Sequence, residues 1–150
     1  MKEKLEIKVH FDGACEPFNP GGRMGFGVHI STGDKVLHTH SEQTDFDPKN
    51  TNNVAEYRAL NIALQWLLEN DYSGEEISVF GDSALVINQM NGTWRARGGR
   101  YFSEYLQAQK IRELFSDITF TWVRREYNDV ADSLSKKDIL TGRQTANQTI

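Results

Sequence analysis

The stretch KVHFDGACEPFNPGG, residues 8 to 22, decides the fold. Its first part completes an alternating run in which Leu5, Ile7, Val9 and Phe11 share one face and polar residues take the other. Period-two alternation predicts a half-buried β-strand over Leu5–Phe11. A carboxylate, Asp12, stands where that run stops, and a loop rich in Gly and Pro follows. Asp12-Gly13 reads either as turn chemistry or as the first ligand of a metal site, and the rest of the chain has to choose.

Working outward, Met24–Ile30 and Lys35–Gln43 read as two further strands joined by the turn Ser31-Thr32-Gly33-Asp34. Thr51–Asn70 is the clearest helix. Ala55, Leu60, Ala63, Leu64, Leu67 and Leu68 recur at helical spacing, and Thr51 or Asn52 can cap its start. Glu76–Gly81 is a short apolar strand that ends at Asp82. Ser83–Asn91 and Phe102–Phe115 follow as helices, Ile118–Val123 as a strand, and Asn128–Lys137 as a last helix. The order β-β-β-α-β-α-α-β-α implies an α/β fold: a meander, then alternating units, giving a mixed sheet with helices on its faces. Residues 1–140 are expected to form one domain, and 141–150 a polar tail.

The bulk numbers narrow the class. Of 150 residues, 38% are apolar and 25% charged, which fits a folded globular chain rather than a disordered one. No run has the length of a membrane span, and the N-terminal MKEKLEIK lacks the apolar core of a signal peptide, so no membrane partner is expected. The single cysteine, Cys15, cannot form an internal disulfide, which points to a reducing compartment, the cytoplasm. Net charge is −4, yet Trp94–Arg112 carries Arg95, Arg97, Arg100, Lys110 and Arg112 against Glu104 alone. Such a basic surface inside an acidic protein is what a nucleic-acid contact needs.

Four acids fall in telling places. Asp12 and Asp82 each follow a strand, Glu56 lies in the first turns of the long helix, and Asp132 lies in the last helix. Parallel neighbouring strands would set the first two side by side, where open α/β sheets bind ligands. Clustered carboxylates repel unless hard cations neutralise them, and oxygen-only ligation suits Mg²⁺ or Mn²⁺ rather than zinc. Taken singly, each acid also has a bland reading: a turn at Asp12-Gly13, a first-turn acid at Glu56, an N-cap at Asp82, a solvated helix residue at Asp132.

The strings around these acids, FDGACEPFNPGG, TNNVAEYRAL, GDSALVINQMNG and WVRREYNDVADSLS, resemble in order the four active-site blocks of type 1 ribonuclease H, over about Lys8 to Ser135. That resemblance implies a ribonuclease H-like fold with a five-stranded mixed sheet. It also implies hydrolysis of the RNA strand of an RNA/DNA hybrid, leaving 5′-phosphate and 3′-hydroxyl ends. The cofactor would be Mg²⁺, with Mn²⁺ as an alternative, two ions per site with substrate bound. Asp12, Glu56, Asp82 and Asp132 match the metal-binding carboxylates. Gly13, Cys15, Asn19, Asn52 and Asn53 match contacts to the hybrid's minor groove or backbone, Thr51 a contact to a DNA phosphate, and Asn128 a position near the last acid that helps hold the surroundings of the scissile strand. Gly13 would let the RNA backbone approach closely, and Asn side chains can read 2′-hydroxyls. The expected partner is the hybrid, with the protein acting as a monomer that needs no second protein. A non-catalytic hybrid-binding module, a nuclease that also cuts double-stranded RNA, and a domain of a larger polymerase are the competing readings.

This sequence departs from the family pattern at three points. No histidine lies between Trp122 and Asp132, where many members carry one on a loop. Ala84 stands where Gln is common, so one substrate hydrogen bond is either absent or supplied by Gln89. The loop after Asp12 holds an extra residue around Pro17-Phe18. Trp94, Arg95 and Arg97 lie where some members grip the DNA strand; a solvated loop with Trp94 tucked into the core is the alternative. His10, His29, His38 and His40 are expected on solvent faces. Arg124 and Arg125 would either touch substrate or pair with Glu126.

Overall fold

The computed structural model describes residues 3–136. The alternation at the N-terminus builds β1 (Glu6–Glu16), whose Ile7, Val9 and Phe11 are fully buried. β1 pairs antiparallel with β2 (Arg23–Thr32), and β2 with β3 (Lys35–Gln43). On its other side β1 pairs parallel with β4 (Glu76–Gly81), and β4 parallel with β5 (Asp117–Trp122). The result is a mixed sheet, as the meander and the later alternating units lead one to expect, with the five strands the resemblance implies; their order is β3-β2-β1-β4-β5.

Helix α1 (Asn52–Glu69) crosses one face, with α2 (Ala84–Met90) and α3 (Phe102–Arg112) beside it. Tyr57, Leu60, Leu64 and Leu67 of α1 are fully buried together with Ile7, Val9, Phe11 and Ile77 of the sheet. Each such side chain contributes on the order of 1.5–3 kcal/mol. Thr51 caps α1, its hydroxyl accepting from the Val54 N–H at 3.1 Å. A 3₁₀ turn (Arg125–Tyr127) leads into helical residues 129–136, called α4, on the opposite face of the sheet. Lys137 and the tail Thr141–Ile150 lie outside the described residues.

The structure corrects the expected boundaries in two places, the first of which shapes the site. The first strand does not stop at Phe11. Its pairing with β4 ends at His10↔Phe80, but the ladder with β2 continues to Glu16↔Arg23, with Asp12 opposite Gly27. Asp12, Gly13 and Cys15 are therefore strand residues, held on one edge only, and the turn comes after them. The other correction is that α3 ends at Arg112 rather than Phe115. Leu114 and Phe115 bond to Ile111 and Arg112, the i→i−3 pattern of a tightening last turn.

Glycines set the depth at which the helices lie. A β-carbon on Gly25 would meet the Ser135 carbonyl oxygen at 1.7 Å, and one on Gly27 would meet that of Ala131 at 2.1 Å. These alternate residues clear a track along β2 on which α4 rests, main chain against main chain. Ser41 and Gln43 of β3 donate side-chain bonds to the carbonyls of Leu134 and Ser135 beside that track.

Candidate active site

Where β1 outruns β4, a cleft of about 620 Å³ opens. Asp12 points into it from β1, Asp82 from the residue after β4, Glu56 from the second turn of α1, and Asp132 from α4. Carboxylate oxygens of Asp12, Glu56 and Asp82 lie within 4.8 Å of one another. Asp132 faces the same cleft, but its Oδ1 is held by Lys136 Nζ at 3.3 Å and Arg125 Nη2 at 3.5 Å. Ser83, not Asp82, caps α2 by accepting from the Val86 N–H at 3.2 Å, so the capping alternative for Asp82 falls.

The electrostatics follow from burial and crowding. Burial, and then the Asp82 charge, raise Asp12 from an ordinary 3.8 to about 8. Burial, and next the Asp12 charge, push Glu56 well above its usual range, although the Gly13 N–H favours its ionised form. Burial would also raise Asp132, but a hydrogen bond with Asp12 and the charges of Lys136 and Arg125 outweigh it and hold this acid low. Glu56 Oε2 is buried without a hydrogen-bond partner among the described residues. An all-oxygen donor set, an orphaned carboxylate oxygen, and two acids whose ionised forms burial and then mutual repulsion disfavour together fit a hard divalent cation.

Of the other residues singled out in the sequence, Gly13, Cys15, Asn19 and Asn52 line the cleft. Two of them also do internal work. The Cys15 thiol donates to the Phe18 carbonyl, and Asn19 Oδ1 accepts from the Asn52 N–H at 3.0 Å, which ties the Pro17-Phe18 loop to the start of α1. Gly13 serves packing: its missing β-carbon faces the backbone of Ala55 and Glu56, not the open cleft. Asn53 is exposed on α1 outside the cleft lining.

Asn128 has an internal bond of its own. It is 1% exposed and its Nδ2 donates to the Phe11 carbonyl at 2.9 Å, so it fastens the start of α4 to β1 next to Asp12. Gln89 is likewise committed. Its Oε1 accepts from the Tyr57 hydroxyl at 2.6 Å and its Nε2 donates to that of Tyr101 at 3.0 Å, so it cannot stand in for a side chain at Ala84. Trp94, Arg95 and Arg97 are exposed on the loop between α2 and α3, which forms no helix of its own; Trp94 is not tucked into the core. Arg100 on that loop donates to the Pro48 carbonyl.

Arg124 pairs with Glu126 at 3.9 Å, whereas Arg125 enters the cleft. The histidines are half-buried rather than solvated: His10 stacks on Phe80 and His38 on Trp66. Sequence reasoning missed Lys136, Ser135 and Trp122. Lys136 was accessible through its i,i+4 spacing from Asp132. Ser135, whose hydroxyl lies 3.3 Å from Asp12 Oδ2, and Trp122 carried no local signal.

Residues 10–138 match the family model described as reverse transcriptase-like. The bifunctional protein Rv2228c of Mycobacterium tuberculosis is 32% identical over 142 residues, which is 95% of this chain and 38% of the relative. The solved N-terminal RNase H domain of that protein superposes with a TM-score of 0.79 at 30% identity, covering 89% of this chain and 98% of the domain. Ribonuclease HI of Halobacterium salinarum is 31% identical over 131 residues, 87% of this chain and 63% of the relative. LC11-RNase H1, solved in complex with an RNA/DNA hybrid, gives a TM-score of 0.77 at 28% identity, over 87% of this chain and 94% of that one. The chain thus spans well under half the length of the mycobacterial relatives it matches.

Proposed function

Because this chain belongs to the reverse transcriptase-like family and, within it, to the type 1 ribonuclease H group, we propose that it is a metal-dependent endoribonuclease that hydrolyses the RNA strand of RNA/DNA hybrids. The observation that carries the reading is the convergence of Asp12, Glu56 and Asp82, with one buried Glu56 oxygen left unpartnered among the described residues. These three acids, joined by Asp132, would hold two divalent cations, Mg²⁺ by preference and Mn²⁺ as substitute. Bound there, the cations would activate a water and stabilise the leaving 3′ oxygen, giving 5′-phosphate and 3′-hydroxyl ends.

The chain's own residues supply the rest. Arg125 and Lys136 place positive charge in the cleft beside the acids, where a strand phosphate must pass. Asn19 and Asn52 line the same wall, and with Cys15 would face the minor groove, where the 2′-hydroxyl tells RNA from DNA. Thr51 would meet a DNA phosphate beside its capping bond. Trp94, Arg95 and Arg97 stand exposed on a separate loop and would follow the DNA strand. The proposal extends to a monomer formed by residues 1–140 and working in the cytoplasm, where the lone Cys15 stays reduced.

The test is cleavage of labelled RNA/DNA hybrid, double-stranded RNA and single-stranded RNA with Mg²⁺, Mn²⁺ or EDTA. Cleavage of hybrid alone, abolished by EDTA, is the expected result. Binding of hybrid without cleavage would make this a non-catalytic module, and equal cleavage of double-stranded RNA would make it a broader nuclease.

A further inference from the structure

Trp122 walls one side of the cleft, and no role given above uses it. It ends β5, in register with Gly81, the residue before Asp82. The last main-chain bond there runs from the Val123 N–H to the Gly81 carbonyl at 2.9 Å. One residue further on, the indole Nε1–H of Trp122 donates to the Asp82 carbonyl at 3.1 Å. A side chain thus continues the ladder by one bond, at the residue that bears the acid. On the far side of Asp82, Ser83 is fixed as the cap of α2.

The site needs such a restraint. Asp82 sits where a strand has run out of partners, and its carboxylate is crowded by Asp12 and Glu56. Carboxylates at that spacing repel once ionised, and Asp82 is the one residue between the end of β4 and the cap of α2 that must resist this. Core packing does not account for where the indole lies, because Trp122 is 49% exposed, costly for so large an apolar surface. Its N–H bond and its place in the cleft do account for it.

We propose that Trp122 is a positioning residue for Asp82, holding the Asp82 main chain so that its carboxylate stays in the three-acid cluster. The inference rests on the metal-dependent reading above. The experiment compares the wild type, Trp122→Phe, a form carrying 3-benzothienylalanine at position 122 (the same fused ring with sulfur in place of N–H), and Trp66→Phe as a control that keeps Trp122. Mn²⁺ affinity is measured by calorimetry, hybrid cleavage by steady-state kinetics, and folding by thermal unfolding.

Both changes at 122 are expected to weaken Mn²⁺ binding on the order of 5-fold, and to lower kcat by a similar factor with KM shifted less than about 2-fold. Trp66→Phe should leave affinity and kcat as they are. Unchanged Mn²⁺ affinity at 122, or a loss confined to KM, overturns the inference. So does a benzothienylalanine form that binds like wild type, since ring shape alone would then suffice; that form also decides the matter if Trp122→Phe does not fold. A wild type that binds no Mn²⁺ and cleaves no hybrid overturns the metal reading and this inference with it. A wild type that does both, matched by the variants, removes only the inference.

Discussion

The backbone nitrogen of Glu56 lies 2.2 Å from the place a β-carbon would occupy on Gly13. Only glycine lets α1 descend onto β1 at this point, and the descent brings the Glu56 carboxylate beside Asp12. Gly13→Ala should therefore cost about 1–3 kcal/mol in denaturant unfolding. It should also weaken divalent-cation binding, because the helix must lift to make room. Unaltered stability and metal affinity would show that the helix adjusts freely.

Gly27→Ala should act on the opposite face. Its β-carbon would strike the Ala131 carbonyl oxygen, so α4 has to move, and Asp132 with it. We expect kcat on hybrid to fall while the α1 side of the site keeps its cation affinity. Calorimetry and kinetics on one sample separate the two effects.

Asp82→Asn removes one charge from the cluster without changing its shape. Hybrid cleavage should drop by on the order of 100-fold or more. Stability without metal should not fall, because the loss relieves the repulsion that raises Asp12. Near-normal cleavage by this variant would mean that the metal assignment is wrong.

Metal-free stability should depend on pH in the direction opposite to that of an ion-paired carboxylate. Asp12 is raised in the folded state from 3.8 to about 8, so between those values the folded protein holds a proton that the unfolded chain has released. Stability should fall as pH rises through that window, with Glu56 adding in the same direction. Asp132 is held low and works the other way, its contribution being lost only in acid. Urea unfolding in EDTA at pH 5 and pH 8.5 tests this. Asp12→Asn should be the more stable protein at pH 8.5, by at least about 1.4 kcal/mol, the worth of one pKa unit.

Neutralising Arg95 and Arg97 to Gln should weaken hybrid binding and flatten the dependence of log affinity on log salt by about 2, near one unit per lost phosphate contact. Arg100 should matter less, since its guanidinium already serves the Pro48 carbonyl. An unchanged slope would remove this loop from the binding surface.

Local periodicity determined much of this protein in advance. Alternation at Ile7, Val9 and Phe11, helical spacing through Ala55, Leu60, Leu64 and Leu67, and turn residues between them were enough to order the strands and helices, because each depends on neighbours a few residues apart. The four acids were legible too, since each sits in a recognisable string. Tertiary structure alone decided how those acids meet and what surrounds them. Asp12 proved to lie within a strand because β2 keeps pairing after β4 has ended. Asn128 proved to be an internal tie to Phe11, and Asn19 a tie to the start of α1. Gly13, Gly25 and Gly27 proved to set how closely α1 and α4 approach the sheet. Each of these outcomes depends on a contact between segments far apart in the chain, where distance, burial and competing charge are set by packing and no short pattern can record them.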